Sequence, residues 1–579
     1  MIKKLVSYAT EFKKDTILSP VYVALEVVME TIIPLLMAVI IDDGVNKKDM
    51  KTVTIVGAAM LLVSFLSLTF GVLGGKHAAT ASTGFARNLR RGMYYNIQSF
   101  SFSNIDKYST PGLITRLTTD VTNVQNAFQM IIRMFVRAPF MLVTATAMCV
   151  YISPKLSLIF VGAIIFLGVI LYFIMTRVHP YFVEVFKKYD DLNASVQENL
   201  TSIRTVKAYV REEHEISKFY KASEVLYKFF IKAEKLIIIN GPAMQFSIYT
   251  CILLLSWLGA KMIVSNSMTT GELMSLFAYT TNILMSLMFL SMIFVMVIMS
   301  KSSAERITEV LNEKSDLTNP ENPIYEVKDG SITFKDVNFS YSNNIEKSVL
   351  EDIEIKINSG ETIGIIGGTG SAKSTLVQLI PRLYDTTSGN VFVGGIDVRH
   401  YDIETLRDEV SMVLQKNVLF SGTIKENLRW GNKEATDEEL IAACRQAQAE
   451  EFIETLPDKY DTHIEQGGSN VSGGQKQRLC IARALLKKPK ILILDDSTSA
   501  VDTKTDSLIR RAFKETIPNT TKIIIAQRIS SVEEADRIIV LNDGKIDGFG
   551  THEELLKTND IYAEVYESQV KGADNNESK

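Results

Sequence analysis

Cysteine, tryptophan and histidine are scarce in this sequence, and charge of neither sign dominates. The 579 residues include four Cys, two Trp and six His, and the formal net charge is -4. With charges so nearly balanced, nothing in the composition indicates a nucleic-acid partner. No pair of cysteines has disulfide or metal-ligand spacing, so the sequence predicts four reduced, structural thiols: Cys149, Cys251, Cys444 and Cys480.

A cleavable signal is also missing from the start of the sequence. The first residues, MIKKLVSYATEFKKD, are basic and amphipathic and contain no short apolar core before a small-residue cleavage site. Such a segment is typical of a helix that lies on the inner surface of a membrane.

Long apolar runs are abundant in the first half of the chain. Hydrophobic residues make up 46% of the sequence, and the mean hydropathy is +0.12. A bilayer core about 30 Å thick needs roughly 20 apolar residues per helix. The third run is the weakest, because Arg133 and Arg137 interrupt its upstream part. The six predicted spans are 17–41, 53–74, 138–152 extended upstream through Phe128, 156–175, 236–263 and 271–299.

Positive charge predicts the orientation of these spans. Lysines and arginines cluster at the N-terminus and in two long connections, 76–116 and 177–235, whereas the opposite connections are short or charge-balanced. Because the number of spans is even, both chain ends lie on one side. We therefore expect a multi-pass protein of the cytoplasmic membrane with cytosolic termini. Its two long cytosolic loops are rich in helix and turn near 110–125 and 199–213.

The composition changes after the last apolar run. Short β-branched strands alternate with polar helices from about residue 330, as in a soluble α/β domain. The predicted fold class is an α-helical membrane domain, whose six long helices extend into the cytosol, fused to an α/β domain. The predicted boundaries are a membrane domain over 1–310, a linker over 311–330, the α/β domain over 331–566, and a tail over 567–579 that is too polar to fold alone.

A glycine-rich segment of the α/β domain carries the first chemical motif. The stretch ETIGIIGGTGSAKSTLVQLI predicts a buried strand, a glycine loop and a helix, which is the setting of an ATP phosphate loop. Lys373 would reach the β- and γ-phosphates, and Ser374 would bind Mg²⁺. Ala372 replaces the usual glycine, at about 1 kcal/mol if its φ is positive. The predicted phosphate-binding residues are Gly367, Gly368, Thr369, Gly370, Ser371, Ala372, Lys373, Ser374 and Thr375.

Two further motifs follow the phosphate loop. The stretch PKILILDDSTS predicts an apolar strand that ends in acids, and Asp495 is suited to a role near Mg²⁺. Between them, VSGGQ (471–475) resembles the signature of the ABC transporter family. With six membrane helices ahead of one such domain, nearly the whole chain resembles an ABC exporter half-transporter.

The resemblance implies roles for several other residues. Tyr341 would stack on adenine, and Gln415 would contact Mg²⁺ and the coupling helices of the membrane domain. SAVD (499–502) resembles the D-loop. In the head-to-tail dimer of this family, the signature completes the ATP site of the opposite subunit; its residues here are Ser472, Gly473, Gly474 and Gln475.

Two positions depart from the family pattern. Asp496 stands where the family has a catalytic glutamate, and Gln527 stands where it has a switch histidine. Both changes are expected to slow hydrolysis, whereas the ATP-binding positions are kept. The chain therefore resembles the degenerate half of a heterodimeric bacterial multidrug-type exporter, paired with a second half-transporter that carries the usual Glu and His.

Two groups in the membrane helices are candidates for a substrate cavity. Five methionines share one face of the last span, and this stripe suits either substrate contact or ordinary helix packing. Glu26 and Glu30 share a face of the first span, where they would meet cationic substrate or pair with Arg133 and Arg137. The methionines are Met285, Met288, Met292, Met296 and Met299.

Three functions are compatible with these features. The leading hypothesis is ATP-driven export of small amphipathic or drug-like compounds from a lipid membrane, with Mg²⁺–ATP as cofactor. One alternative is a lipid or peptide flippase on the same scaffold. Another is a regulatory or sensor subunit that ATP gates without pumping.

Overall fold

The computed structural model describes residues 1–342, 344–497 and 501–577. The chain forms two compact units. The first comprises Met1–Gln98 and Ser109–Glu313, and the second comprises Ser99–Tyr108 and Lys314–Lys579. The short segment Ser99–Tyr108 therefore groups with the C-terminal unit although it lies inside the predicted membrane domain.

All regular secondary structure in the described part of the first unit is helical. Six of its helical stretches are long and apolar enough to cross a membrane, which confirms the six predicted spans. Its helices, together with α4 of the second unit, are α1 Ile2–Ser7, α2 Lys13–Val39, α3 Met50–Gln98, α4 Phe102–Tyr108, α5 Thr110–Thr115, α6 Val121–Ile152, α7 Pro154–Thr201, α8 Ile203–Ala208, α9 Glu212–Ile237, α10 Asn240–Val264 and α11 Thr270–Asn312.

The turning points predicted for the two long loops differ in how well they agree with the structure. The second contains the short helix α8, inside the predicted stretch 199–213. The first lies earlier than predicted: the chain reverses around α4, and α5 leads through a π-helical turn directly into α6. Ser109 has a φ of +55° and caps α5, so the break precedes the stretch predicted from its sequence.

The second unit contains twelve strands among its described residues. They form a four-stranded sheet of order β2-β1-β4-β5, a six-stranded sheet of order β12-β11-β3-β10-β9-β6, and the pair β7-β8. The strands are β1 Ile332–Phe339, β2 Leu350–Ile357, β3 Thr362–Gly367, β4 Ser388–Val393, β5 Ile396–Asp397, β6 Val410–Val413, β7 Gly422–Thr423, β8 His463–Ile464, β9 Ile491–Asp495, β10 Thr521–Ile525, β11 Arg537–Asn542 and β12 Lys545–Gly550.

The parallel strands of the larger sheet position the site. Strands β3, β10 and β9 are neighbours, with Ile525 in register with both Ile365 and Asp495. Because parallel strands end at the same edge of a sheet, the loops after all three meet there. This edge carries the phosphate loop, the acidic pair and Gln527.

Helices complete the second unit. They are α12 Lys373–Gln378, α13 Ile403–Glu409, α14 Ile424–Leu428, α15 Asp437–Gln446, α16 Glu450–Glu454, α17 Gly473–Leu485, α18 Thr503–Thr516, α19 His552–Thr558 and α20 Asp560–Glu577. The last of these extends beyond residue 567, where the sequence predicted an unfolded tail. All four cysteines of the chain are buried and free.

Candidate nucleotide site and membrane charge cluster

The phosphate loop follows a fully parallel strand and opens a helix. Strand β3 ends at Gly367, and α12 begins at Lys373. A Cβ at Gly367 would collide with the backbone carbonyl of Leu541 and with Ser371 Oγ, so only glycine fits there. Gly370 has a φ of +88°. The loop therefore turns back tightly enough to present backbone N–H groups at a helix N-terminus, where a phosphate binds.

Ala372 occupies a left-handed backbone conformation. Its φ is +69° and its ψ is 22°, immediately before α12. This is the positive φ for which the replacement of glycine was expected to carry a penalty. A left-handed conformation costs a non-glycine residue about 1–2 kcal/mol. The departure in sequence is thus a local backbone strain in the loop.

The Lys373 ammonium is folded over its own loop. Its Nζ donates hydrogen bonds to the carbonyls of Gly367, at 2.8 Å, and Gly368, at 2.7 Å. Burial lowers the pKa of Lys373, and the nearby carboxylates of Asp495 and Asp496 oppose this shift. The positive charge of Lys373 therefore lies over the loop that would hold the phosphates of a bound nucleotide.

Ser374 and Asp495 form a hydrogen-bonded pair. Ser374 Oγ donates to Asp495 Oδ1 at 2.9 Å. Asp495 is only 3% exposed, and this burial, together with the charge of Asp496, raises the pKa of its carboxyl. A hydroxyl beside a carboxylate fits the way Mg²⁺ is held together with substrate phosphates. Within the described residues, no group of three or more His, Cys, Asp or Glu side chains could hold a metal ion by itself. Mg²⁺ at this site would therefore also need phosphate oxygens as ligands.

Asp496 and Gln527 meet at the end of the same sheet. Gln527 Nε2 donates to Asp496 Oδ2 at 2.8 Å, and the backbone N–H of Asp496 donates to the carbonyl of Ile525 at 3.1 Å. Asp496 has a φ of +48°, so the chain bends sharply where β9 ends. The structure thus joins the two positions, Asp496 and Gln527, where the sequence lacks the expected catalytic Glu and switch His.

Tyr341 lies beside the phosphate-loop helix. Its hydroxyl is 3.0 Å from Thr375 Oγ1, and its ring makes edge contacts with Phe339 and Tyr384 at centroid distances of 4.9 and 5.3 Å. The residue is 51% exposed. Edge contacts hold the ring upright and leave ring surface for a flat base to stack on.

The remaining predicted ATP-site residues lie on loops. Gln415 follows β6 and is exposed. Ser499 and Ala500 of the predicted D-loop lie outside the described residues. Thr369 lies at the exposed tip of the phosphate loop.

The VSGGQ segment forms the N-terminus of α17. Ser472 is the N-cap residue: its Oγ accepts from the N–H of Gln475 at 3.3 Å, and its own N–H donates to Gln475 Oε1 at 2.9 Å. This capping box leaves the following glycines, Gly473 and Gly474, as the first residues of the helix. The segment therefore exposes a serine hydroxyl and backbone N–H groups at a helix end, which suits an anion.

Arg137 joins both acids of the first membrane span. It donates to Glu26 Oε1 at 2.5 Å and to both carboxylate oxygens of Glu30 at 2.8 Å. Arg133 instead lies against Gly75 of α3. Of the two alternatives for Glu26 and Glu30, the internal ion pair is therefore present in the structure, and its partner is Arg137.

A cavity of about 360 Å³ adjoins this cluster. Glu30, Arg137 and Met285 line it, whereas Glu26 does not. Glu26 Oε2 is buried and has no hydrogen-bond partner among the described residues. Of the other predicted methionines, Met292 is exposed, Met288 and Met296 are half-buried, and the side chain of Met299 lies outside the described part.

Comparison with known families identifies both units. Residues 16–288 match the family model described as ABC transporter transmembrane region, and residues 350–499 match the one described as ABC transporter. The chain is 38% identical to the uncharacterized ABC transporter ATP-binding protein YfiB of Bacillus subtilis over 553 residues, which are 96% of each protein. It is 33% identical to YknU of the same organism over 98% of this chain and 97% of that protein.

The chain belongs to the ABC transporter family. Its fold is similar to a solved bacterial Atm1-family ABC exporter with ATP bound, with a TM-score of 0.81 and 23% identity over 96% of this chain and 98% of that one. The predicted fold class is confirmed: six apolar helices fused to an ABC domain. The second unit is therefore the ATP-binding domain of an ABC transporter.

Sequence reasoning missed one residue near the ATP-binding edge. Gln569, on α20, makes hydrogen bonds with the backbone on both sides of Arg528. It falls in the stretch that was predicted to be an unfolded tail. No local pattern marks it, because its partners lie about 40 residues away in sequence.

Proposed function

We propose that this chain is one half of a heterodimeric ABC exporter that moves small amphipathic compounds out across the cytoplasmic membrane. Its own ATP site binds Mg²⁺–ATP but hydrolyses it slowly, and its signature completes the fast site of the partner. The direct hydrogen bond between Gln527 and Asp496 carries this proposal.

The proposed roles follow from the side chains present. Lys373 neutralises the phosphates, Ser374 and Asp495 hold Mg²⁺ with Gln415, and Tyr341 stacks on adenine. Bound Mg²⁺–ATP would supply the phosphoanhydride bond whose hydrolysis drives transport. Each of these groups favours ATP binding, and none of them has to activate water.

Slow hydrolysis follows from the groups at the other two positions. A base must hold the attacking water in line with the γ-phosphorus. Aspartate is one methylene shorter than glutamate, and a displacement of about 1 Å can lower the rate about 100-fold. The Gln527 amide also occupies one oxygen of the Asp496 carboxylate. Glutamine is neutral, so it cannot bring the positive charge that a histidine can.

The membrane cluster favours cationic compounds as substrates. Arg137 alone faces two carboxylates, and Glu26 keeps one buried oxygen without a partner. The cluster thus carries more carboxylate charge than Arg137 balances, and Glu30 places one of the two acids on a cavity that Met285 also lines. An amphipathic cation would offer a donor to Glu30 and an apolar body to Met285 and Phe289.

ATPase assays of the purified chain, alone and with its co-expressed partner in lipid vesicles, test this function. We expect very low activity for the chain alone and substrate-stimulated activity for the pair, with export of cationic dyes. A normal exporter rate for the chain alone contradicts the degenerate-site proposal. Transport of lipid or peptide but no dye would favour a flippase, and ATP binding without any transport would favour a regulatory subunit.

A further inference from the structure

The backbone of the segment that carries Gln527 is hydrogen-bonded by one side chain of the C-terminal helix α20. Gln569 Nε2 donates to the backbone carbonyl of Gln527 at 2.9 Å. Gln569 Oε1 accepts from the backbone N–H of Ile529, also at 2.9 Å. One side-chain amide therefore bridges the two ends of the tripeptide 527–529, using both its donor and its acceptor.

Helix α20 is anchored so that this bridge has a fixed position. Tyr562 is fully buried, and its hydroxyl is 2.7 Å from His552 Nδ1 on α19. The next turn packs Val565 and Tyr566 against the core of the domain. Gln569 lies seven residues after Tyr562, on the same face of the helix. The side chain is thus presented by a packed helix rather than by a loose terminus.

This bridge fixes the backbone of Gln527, the residue whose side chain contacts Asp496. With its carbonyl held by Gln569, Gln527 directs its own amide to Asp496 Oδ2 at 2.8 Å. A side-chain amide at position 569 can make both hydrogen bonds. A carboxylate there could accept only from the Ile529 N–H, and its negative charge would face the partial negative charge of the Gln527 carbonyl oxygen. The bridge therefore sets the direction in which the Gln527 side chain leaves the backbone.

We propose that Gln569 is a positioning residue of this chain's ATP site: it holds the backbone of 527–529 so that Gln527 stays on Asp496. Because Gln527 occupies the switch position beside the γ-phosphate in the proposed site, loss of the bridge frees a donor amide of that site, and we expect ATP to remain bound for a shorter time. The proposal concerns the chain's own residues and rests on the assignment of Gln527 to the ATP site.

Hydrogen exchange of the full-length pair tests the bridge directly. Gln569→Met removes both bonds at similar volume, and Gln569→Glu keeps the acceptor for Ile529. One net hydrogen bond corresponds to about a fivefold change in equilibrium. We expect the Ile529 amide to exchange about fivefold faster in Gln569→Met and little changed in Gln569→Glu. The matched control Ser568→Ala, on the exposed neighbour, should leave exchange unchanged; equal exchange in all variants overturns the proposal.

Dissociation of a fluorescent ATP analogue tests whether the bridge acts through Gln527. Gln569→Met should speed dissociation from this chain's site several-fold, whereas in a Gln527→Ala background it should add nothing. A general loosening of the domain would speed dissociation equally in both backgrounds. Equal effects in the two backgrounds, or faster exchange at Ile529 without any change in dissociation, overturn the positioning role.

Discussion

Gln527 and Asp496 are hydrogen-bonded to each other across 2.8 Å, although 31 residues separate them in sequence. Two substitutions that look independent in the sequence therefore act at one point in space. Residues in direct contact usually have non-additive effects. The pair is best understood as one unit, whose carboxylate and amide satisfy each other.

This contact predicts the outcome of restoring the family residues. In the chain alone, we expect Asp496→Glu to raise ATPase activity modestly, because Gln527 can still bind the carboxylate. Gln527→His alone should also do little. The double variant should exceed the product of the single effects, as measured by steady-state phosphate release. Purely multiplicative effects would mean that the contact plays no part in the slow rate.

Asymmetry between the two ATP sites is the second prediction. In the proposed pair, Asp496→Asn should change turnover little, because we propose that its site contributes little hydrolysis. Ser472→Arg should nearly stop turnover, although it lies outside the chain's own site. Since Ser472 also caps α17, Ser472→Thr, which keeps a capping hydroxyl, is the control and should remain active. Turnover that is lost with Asp496→Asn would refute the asymmetry.

The strained loop residue gives a stability prediction. Ala372→Gly should stabilise the ATP-binding domain by up to about 1 kcal/mol, because glycine adopts positive φ without a Cβ penalty. Thermal unfolding monitored without nucleotide measures this. Ala482→Gly, in the buried interior of α17, is the matched control and should destabilise. Destabilisation by Ala372→Gly would show that packing of its methyl outweighs the strain.

The raised pKa of Asp495 predicts a conflict between stability and function. A carboxyl whose folded pKa is raised stabilises the fold fully only below its unfolded pKa, and this contribution is lost as the pH rises through the folded value. Asp495→Asn should therefore raise the melting temperature at neutral pH, with a smaller gain near about pH 4. The stabilisation by Mg²⁺–ATP should disappear.

The control for Asp495→Asn is a substitution of an exposed acid. Asp458→Asn replaces an exposed aspartate of the same domain and should leave both the melting temperature and the response to Mg²⁺–ATP unchanged. If Asp495→Asn lowered the melting temperature at neutral pH, the buried carboxylate would be a net stabiliser, in disagreement with the direction of its pKa shift.

Glu26 and Glu30 of the first membrane span differ in whether they line the cavity. Glu30→Gln should reduce transport of cationic dyes more than transport of neutral compounds, whereas Glu26→Gln should be less selective, because only Glu30 lines the cavity. Arg137→Met should destabilise the membrane domain, by less than the roughly 3–5 kcal/mol of a fully buried pair. Equal losses of cationic and neutral transport in Glu30→Gln would indicate a structural role alone.

The sequence predicted those features that repeat a local pattern. Apolar length predicted six spans, and strand, glycine loop and helix predicted the phosphate loop around Lys373, because each depends on neighbours in the chain. Helix spacing placed Glu26 and Glu30 on one face and left them either a cationic substrate or Arg133 and Arg137 as partners, and the choice of Arg137 needed the packing of α2 against α6.

Contacts between distant segments were not predictable in this way. Gln569 meets the Gln527 segment only because α20 packs back on the sheet, and a polar C-terminal stretch gives no sign of such packing. The first of these turns was placed too late, because the break lies at Ser109, whose positive φ is unusual for a serine. Such features depend on tertiary structure rather than on composition.

The hydrogen bonds of the phosphate loop have a consequence for how ATP enters. Lys373 already donates to two loop carbonyls, and Ser374 already donates to Asp495. Phosphates must therefore compete with the loop carbonyls for the Lys373 donors, whereas Ser374 can keep its bond to Asp495 while its oxygen binds Mg²⁺, so ATP binding is in part an exchange of bonds within the protein. Its measured affinity reports a difference between two sets of contacts, and a variant that weakens the internal set alone would bind ATP more tightly than the natural chain.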